Sequence, residues 1–202
     1  MKNVEEEEIK VILVGEMGTG KTSLINAAMG VPFKEGVEMS TSTASFVTKV
    51  IKIEGKSYSI NLWDTIGQEK FRALTKIFIK DSKIVIFVYD ITRLKTFEEL
   101  NKHWFKEIQD VLGDEPVLGI VGNKQDLFVK EQVKEEIAEK YAEDKNASFK
   151  LTSAKNPLSF NSFLEDLLKQ YIKKSGGKVD GNGRKKLEDK KDNNKNTERK
   201  FC

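Results

Sequence analysis

Ile9-Lys10-Val11-Ile12-Leu13-Val14-Gly15-Glu16-Met17-Gly18-Thr19-Gly20-Lys21-Thr22-Ser23 is the stretch on which the reading of this chain turns. A short apolar run leads straight into a glycine-rich turn. Lys21 then opens a segment that reads as a helix over 21–30, stopped by Gly30-Val31-Pro32. Residues 15–22 fit G-x-x-x-x-G-K-[ST] in the strand–turn–helix setting that this motif requires. Glycines let backbone N–H groups close around phosphate oxygens, and a helix start adds the positive end of its dipole. Lys21 is placed to neutralise the β- and γ-phosphates, and the Thr22 hydroxyl to ligate Mg²⁺. Gly15, Glu16, Met17, Gly18, Thr19, Gly20, Lys21, Thr22 and Ser23 are therefore candidate nucleotide-binding residues.

Outward from this loop, residues 44–54 and 56–64 are β-rich and separated by Glu54-Gly55, a hairpin signal. Ile84–Tyr89 and Val117–Val121 are near-continuous apolar runs, suited to strands buried on both faces of a mainly parallel sheet. Between them, Phe97, Leu100, Trp104 and Ile108 recur at helical spacing and predict one helix over 96–112. Residues 131–144 and 159–173 predict two more, with Phe149-Lys150-Leu151 as a short last strand. Strands alternating with helices indicate an α/β, doubly wound P-loop fold, with a mostly parallel six-stranded sheet, one antiparallel edge strand and helices on both faces.

Three further clusters carry chemistry. Trp63-Asp64-Thr65-Ile66-Gly67-Gln68-Glu69 follows a predicted strand. Asp64 is placed to hold Mg²⁺ through water, Gly67 leaves its amide free for a γ-phosphate, and Gln68 can orient an attacking water. Asn123-Lys124-Gln125-Asp126 follows the Val117–Val121 strand. The Asp126 carboxylate can accept hydrogen bonds from N1 and N2 of guanine, and adenine cannot supply both donors, so this residue selects GTP over ATP. Thr152-Ser153-Ala154-Lys155 ends the last strand, where the Ala154 amide can contact the guanine O6. His103, the sole histidine, reads as a surface or boundary residue, and Trp104 as core.

In the order of these motifs the chain resembles the Ras superfamily of small GTPases, and it is most similar to the Rab family. The likeness covers about residues 8 to 172, including the phosphate loop, Trp63–Glu69, Val88-Tyr89-Asp90-Ile91-Thr92, and Thr152–Lys155. Lys70-Phe71 and an aromatic set resembling that family's effector triad, Phe46, Trp63 and Phe78, point to Rab in particular. The resemblance implies a GTP/GDP switch with Mg²⁺, in which Lys21 and Gln68 serve catalysis. Exchange factors, GTPase-activating proteins and effectors are the implied partners, and vesicle traffic the implied setting. It also implies a guanine-edge aromatic, Phe33, and a hydroxyl from the 33–45 loop on Mg²⁺. Counting back from Phe46 selects Thr41 for that hydroxyl; counting forward from Phe33 selects Ser40. Thr41 is the expected ligand. Thr43 stands where the family places glycine, Ile66 where it places alanine, and Asp81 where a small residue is usual. No arginine lies in the 33–45 loop to act on the phosphates, so slow unassisted hydrolysis is expected. The rival reading is a GTP-binding scaffold in which Ile66 and the altered loop suppress hydrolysis.

Composition sets the frame for these motifs. The chain has 202 residues, 38% hydrophobic and 33% charged, enough for one domain with a core. Its net charge of +3 is unevenly spread. Residues 173–202 hold 11 Lys and Arg against 5 Asp and Glu, so they carry +6 and the body −3. The expected division is a nucleotide-binding domain over 1–172 and a disordered basic tail over 173–202, in which only Val179, Leu187 and Phe201 are large and apolar. A single cysteine, Cys202, excludes an internal disulfide and resembles a prenylation site without C-a-a-X spacing. One lipid beside a basic segment makes a two-signal anchor for the cytosolic face of intracellular membranes, so the protein is expected to be cytoplasmic and reversibly attached. The acids alternating through the tail argue against a nucleic-acid partner, and a monomer is expected. Residue 2 is not glycine and the start has no apolar core, so neither myristoylation nor secretion is expected.

Overall fold

The computed structural model describes residues 8–36, 45–65 and 77–176. Six strands form one sheet in the order β2-β3-β1-β4-β5-β6. They are β1 (Ile9–Val14), β2 (Ser45–Ile53), β3 (Lys56–Asp64), β4 (Ile84–Asp90), β5 (Val117–Asn123) and β6 (Ser148–Leu151). The hairpin signal at Glu54-Gly55 joins β2 to β3, the one antiparallel pair, in register from Ser45 opposite Asp64 to Ile53 opposite Lys56. All other pairings are parallel, so β2 is the antiparallel edge strand.

Strand β4, apolar from Ile84 to Tyr89, shows why continuous hydrophobic runs mark this architecture. All seven of its residues are buried. Ile84, Ile86 and Val88 face one core; Val85, Phe87 and Tyr89 face the other. A strand alternates its side chains across the sheet, so burial on both faces demands apolar residues throughout. Helices α1 (Lys21–Ala28) and α5 (Pro157–Lys174) cover the first face with Leu24, Ile25, Phe160, Phe163, Leu164 and Leu167. Helices α2 (Leu94–Glu99), α3 (Phe105–Leu112) and α4 (Glu135–Asp144) lie on the second. Among the described residues no helix is long and apolar enough to cross a membrane.

One helical expectation is refined and one corrected. The helix expected over 96–112 is present and runs from Leu94 to Leu112, with a π-turn, Leu100–Trp104, joining α2 to α3. Leu100 and Trp104 both point inward from this wider turn and are fully buried. Apolar spacing over a single turn does not distinguish i+4 from i+5 bonding. The helix expected over 131–144 begins only at Glu135. Residues 125–130 form a 3₁₀ turn, and the chain is then tied sideways: the amides of Gln132 and Val133 donate to the Ile91 carbonyl at 2.8 and 3.3 Å. Bonding to a neighbouring loop displaces the first helical turn.

Candidate functional site

The phosphate loop hangs between β1 and α1 in a conformation that requires its glycines. Gly15, Gly18 and Gly20 all have positive φ, at 144°, 75° and 93°. A Cβ on Gly15 would fall on the Val88 carbonyl oxygen of β4, and one on Gly20 on the Asn123 side-chain nitrogen. That nitrogen donates to the Thr19 carbonyl at 2.8 Å. Asn123 thus ties the phosphate loop to the end of β5. Met17, at the apex, is exposed.

Lys21 is the first residue of α1 and is 5% exposed. Its ammonium donates to the carbonyls of Gly15 at 2.8 Å and Glu16 at 3.0 Å. Burial lowers its pKa from 10.5 to about 8 against the opposing attraction of Asp64 and Glu16, and the nearby Arg93 charge lowers it further. Thr22 Oγ1 donates to Asp64 Oδ2 at 2.6 Å, bringing residues 42 apart in sequence together beside the loop. A hydroxyl and a carboxylate are hard oxygen donors, the set that suits Mg²⁺. Thr65 continues the end of β3 inward, donating its hydroxyl to the Leu13 carbonyl at 2.6 Å.

On the other side of Gly20, a cavity of about 290 Å³ is lined by Ser23, Phe33, Asn123, Lys124, Asp126, Ser153, Ala154 and Lys155, with Glu35, Gly36 and Leu127. The three sequence clusters therefore meet in one cavity. Asp126 Oδ1 accepts the Ser153 hydroxyl at 2.6 Å, and Oδ2 lies 3.4 Å from Lys155 Nζ. The Lys155 ammonium also pairs with Glu35 at 2.6 Å and stands 5.6 Å over the Phe33 ring. The hydrogen bond to Glu35, then that to Asp126, raises the Lys155 pKa above its usual value. An aromatic face, a carboxylate and a backbone turn suit a planar base with N–H donors.

Several contacts link the motifs to one another and to residues outside them. Asp90, fully buried at the end of β4, accepts Lys124 Nζ at 2.7 Å and Arg93 Nε at 2.9 Å on Oδ2. On Oδ1 it accepts the Thr92 amide and hydroxyl at 2.9 and 2.7 Å. Burial pushes its pKa up, but the Lys124 and Thr92 bonds outweigh burial and hold it below 3.8. Trp104 is core, as expected, yet its indole N–H reaches the Glu16 carboxylate at 3.2 Å. His103 lies at the boundary, 28% exposed, with Nε2 3.0 Å from Glu107 Oε2. The expected aromatic set is contiguous: Phe46 stacks on Trp63 at 4.8 Å and Trp63 lies 6.0 Å from Phe78. Phe46 is 49% exposed, so the row is open to a partner at one end. Ser40, Thr41, Thr43, Ile66, Gly67, Gln68, Lys70, Phe71 and Cys202 lie outside the described residues.

A glycine-rich loop between a strand and a helix, a Thr–Asp pair of hard oxygen donors beside it and a cavity that holds a carboxylate are the features of a P-loop nucleotide-binding protein of guanine type. Residues 10–173 match the model of the Ras family. The chain is 42% identical over 163 residues to the Ras-related protein Rab-21 of Bos taurus and of Homo sapiens, covering 81% of this chain and 72% of each relative. It is 33% identical over 201 residues to the Ras-related protein Rab-13 of Rattus norvegicus, covering 96% and 98%. The chain belongs to the Ras family. It is a small GTPase of Rab type, a switch of membrane traffic that hydrolyses GTP to GDP. Guanine nucleotide, exchange factors, activating proteins and effectors are its partners.

Proposed function

We propose that GTP and Mg²⁺ order the 33–45 and 65–80 segments through γ-phosphate contacts, and that hydrolysis releases them. The observation that carries this reading is the single cavity joining Gly20 of the phosphate loop to Asp126 and Ala154. Asp126, Asn123, Lys124, Ser153, Ala154, Lys155 and Phe33 hold the base. Gly15 to Ser23 cradle the phosphates. Thr22, Asp64 and Thr41 hold Mg²⁺, which supplies charge neutralisation on the phosphates. Lys21 places its ammonium on the β- and γ-phosphates, Gly67 presents its amide to the γ-phosphate, and Gln68 orients the water. The chemistry is positioning and charge stabilisation, slow until an activating protein completes the site. Phe46, Trp63 and Phe78 form the effector surface.

The domain is assigned to residues 1–172 and the basic tail to 173–202. With a prenyl group on Cys202, the tail lysines and arginines anchor a monomer reversibly to the cytosolic face of intracellular membranes. The test is single-turnover GTP hydrolysis with Mg²⁺ by the wild type, Gln68→Leu and Ile66→Ala. Slow hydrolysis that falls further in Gln68→Leu supports the switch. Tight GTP binding without hydrolysis favours the scaffold, and recovery in Ile66→Ala would locate the cause.

A further inference from the structure

Arg93 lies outside every nucleotide motif, yet its side chain reaches across to the phosphate loop. Its Nη2 donates to the Met17 carbonyl at 3.1 Å while its Nε is held by Asp90 at 2.9 Å. The guanidinium also lies against Gly18: a Cβ there would come within 3.3 Å of Nη2. Its backbone is fixed on both sides. The Arg93 amide donates to the Asp90 carbonyl at 2.9 Å. Its own carbonyl accepts the Thr96 amide at 3.0 Å and the Thr96 hydroxyl at 2.7 Å. The Thr96 hydroxyl in turn accepts the Asp90 amide at 3.0 Å. A side chain anchored at backbone, Nε and Nη2 loses little further freedom in making its contact, which is the use of a rigid guanidinium fork.

We propose that Arg93 is a positioning residue for the nucleotide phosphates, clamping the Met17–Gly18 peptide from outside so that the Gly18 amide faces the phosphate site. The inference rests on the reading of residues 15–22 as the phosphate cradle. In a planar trans peptide the C=O and the next N–H point in opposite directions. Fixing the Met17 carbonyl outward on a cation therefore directs the Gly18 N–H inward. The cation also polarises that amide, making it a stronger donor. Gly18 has φ 75° and no side chain to fix its own orientation, so an external clamp has something to decide. Neutralising a triphosphate needs positive charge, and Arg93 adds one from outside the motif. The Trp104 indole holds the Glu16 carboxylate, so two side chains from the β4–α3 region grip consecutive residues of the loop.

The test is dissociation of a fluorescent GDP analogue from the full chain in Mg²⁺, for the wild type, Arg93→Ala and Arg93→Lys, with guanosine competition as the phosphate-free control. Loss of a charge-assisted bond at a half-exposed site should speed GDP release by roughly tenfold in Arg93→Ala. Arg93→Lys should recover only part of this, because one ammonium cannot span Asp90 and the Met17 carbonyl. Guanosine binding should be unchanged in both. Equal GDP release in the wild type and Arg93→Ala would overturn the proposal, as would equal weakening of GDP and guanosine. Should Arg93→Ala not fold, Arg93→Gln, which keeps the stem and one donor amide, carries the same comparison. A wild type that does not retain GDP would instead overturn the nucleotide reading on which the proposal rests.

Discussion

Lys124 Nζ stands 2.7 Å from Asp90 Oδ2, so the lysine that lines the base cavity is held by a fully buried carboxylate at the end of the neighbouring strand. β4 and β5 run parallel with Asp90 opposite Asn123, which brings the carboxylate level with the turn that follows β5. Lys124 itself has φ 67°, a left-handed conformation that costs energy in a residue with a Cβ. The ion pair and the Gln125 amide bond to Thr152 O at 2.9 Å hold the turn in that strained shape. The base pocket is therefore fixed by a residue that does not line it.

That arrangement has a consequence in acid. The Asp90 carboxyl is held below its ordinary value of 3.8, so its ionised form is favoured in the folded state. Its contribution to stability is present above the unfolded pKa and is lost as pH falls through the lower folded one. Asp90→Asn keeps the shape but removes both ion pairs. It should lower stability at neutral pH by about 1–3 kcal/mol, since Lys124 and Arg93 are both partly exposed. Below pH 4 the gap to the wild type should narrow. Urea denaturation at pH 7 and pH 3 checks this, and a constant gap would show that Asp90 acts through packing.

In the proposed function Asp126 decides the base. Its Oδ1 is already oriented by the Ser153 hydroxyl at 2.6 Å, so the carboxylate is aimed into the cavity before any base arrives. Asp126→Asn replaces an acceptor pair with one acceptor and one donor facing the guanine N–H groups. GTP affinity should fall by roughly 30- to 100-fold, the worth of a charged hydrogen bond plus an unpaired buried donor. A xanthine base offers a carbonyl where guanine offers an amino group, so xanthosine triphosphate should gain relative to GTP. Competition binding of the two nucleotides measures the ratio.

The parts of this site that were legible in sequence are those whose chemistry sits within one turn. Residues 15–22, 123–126 and 152–155 each follow a strand, and the strand fixes where the turn points. Asp64 and Thr22, 42 residues apart, each belong to a motif of their own, and the fold brings them within 2.6 Å. Arg93, Glu35 and the Trp104–Glu16 bond had none. The Arg93 and Trp104 contacts join the chain after β4 to the loop after β1, and the Glu35 contact joins the chain after α1 to the turn after β6; no local pattern encodes these meetings. Trp104 was legible as core but not as a donor, because apolar spacing reports burial and is silent on where an indole N–H points. The π-turn leaves no mark in the sequence for the related reason that one extra residue in a turn leaves the apolar stripe almost unchanged.

The Glu35–Lys155 pair lines the cavity beside Asp126 and joins the segment after α1 to the turn after β6. Side-chain exposures of 77% and 43% make it a surface contact, screened by salt. Its effect belongs to kinetics more than to affinity. Glu35→Gln should raise GDP dissociation by only about two- to threefold at low salt, and by less at 0.5 M, where the wild-type pair is already weakened. Dissociation rates that rise equally at both salt concentrations would mean that Glu35 acts through loop shape and not through charge.

Lys21 links nucleotide binding to pH. Burial lowers its pKa to about 8, so at pH 8.5 the ammonium of the nucleotide-free protein has lost roughly three quarters of its proton. Phosphate oxygens beside it stabilise the charged form, and binding above pH 8 must therefore take up a proton. For the nucleotide-free fold the sign is opposite. Between about pH 8 and 10.5 the unfolded chain holds the proton more tightly than the folded one, so this residue adds stability as pH rises through that window. Titration calorimetry of GDP binding at pH 8.5, in two buffers of different ionisation enthalpy, should show uptake of somewhat less than one proton, against near zero at pH 6.5. Lys21→Arg keeps its charge throughout and should abolish the difference, at a cost in affinity because a guanidinium does not fit the two carbonyls that Lys21 occupies. Proton uptake that persists in Lys21→Arg would assign the linkage to another group.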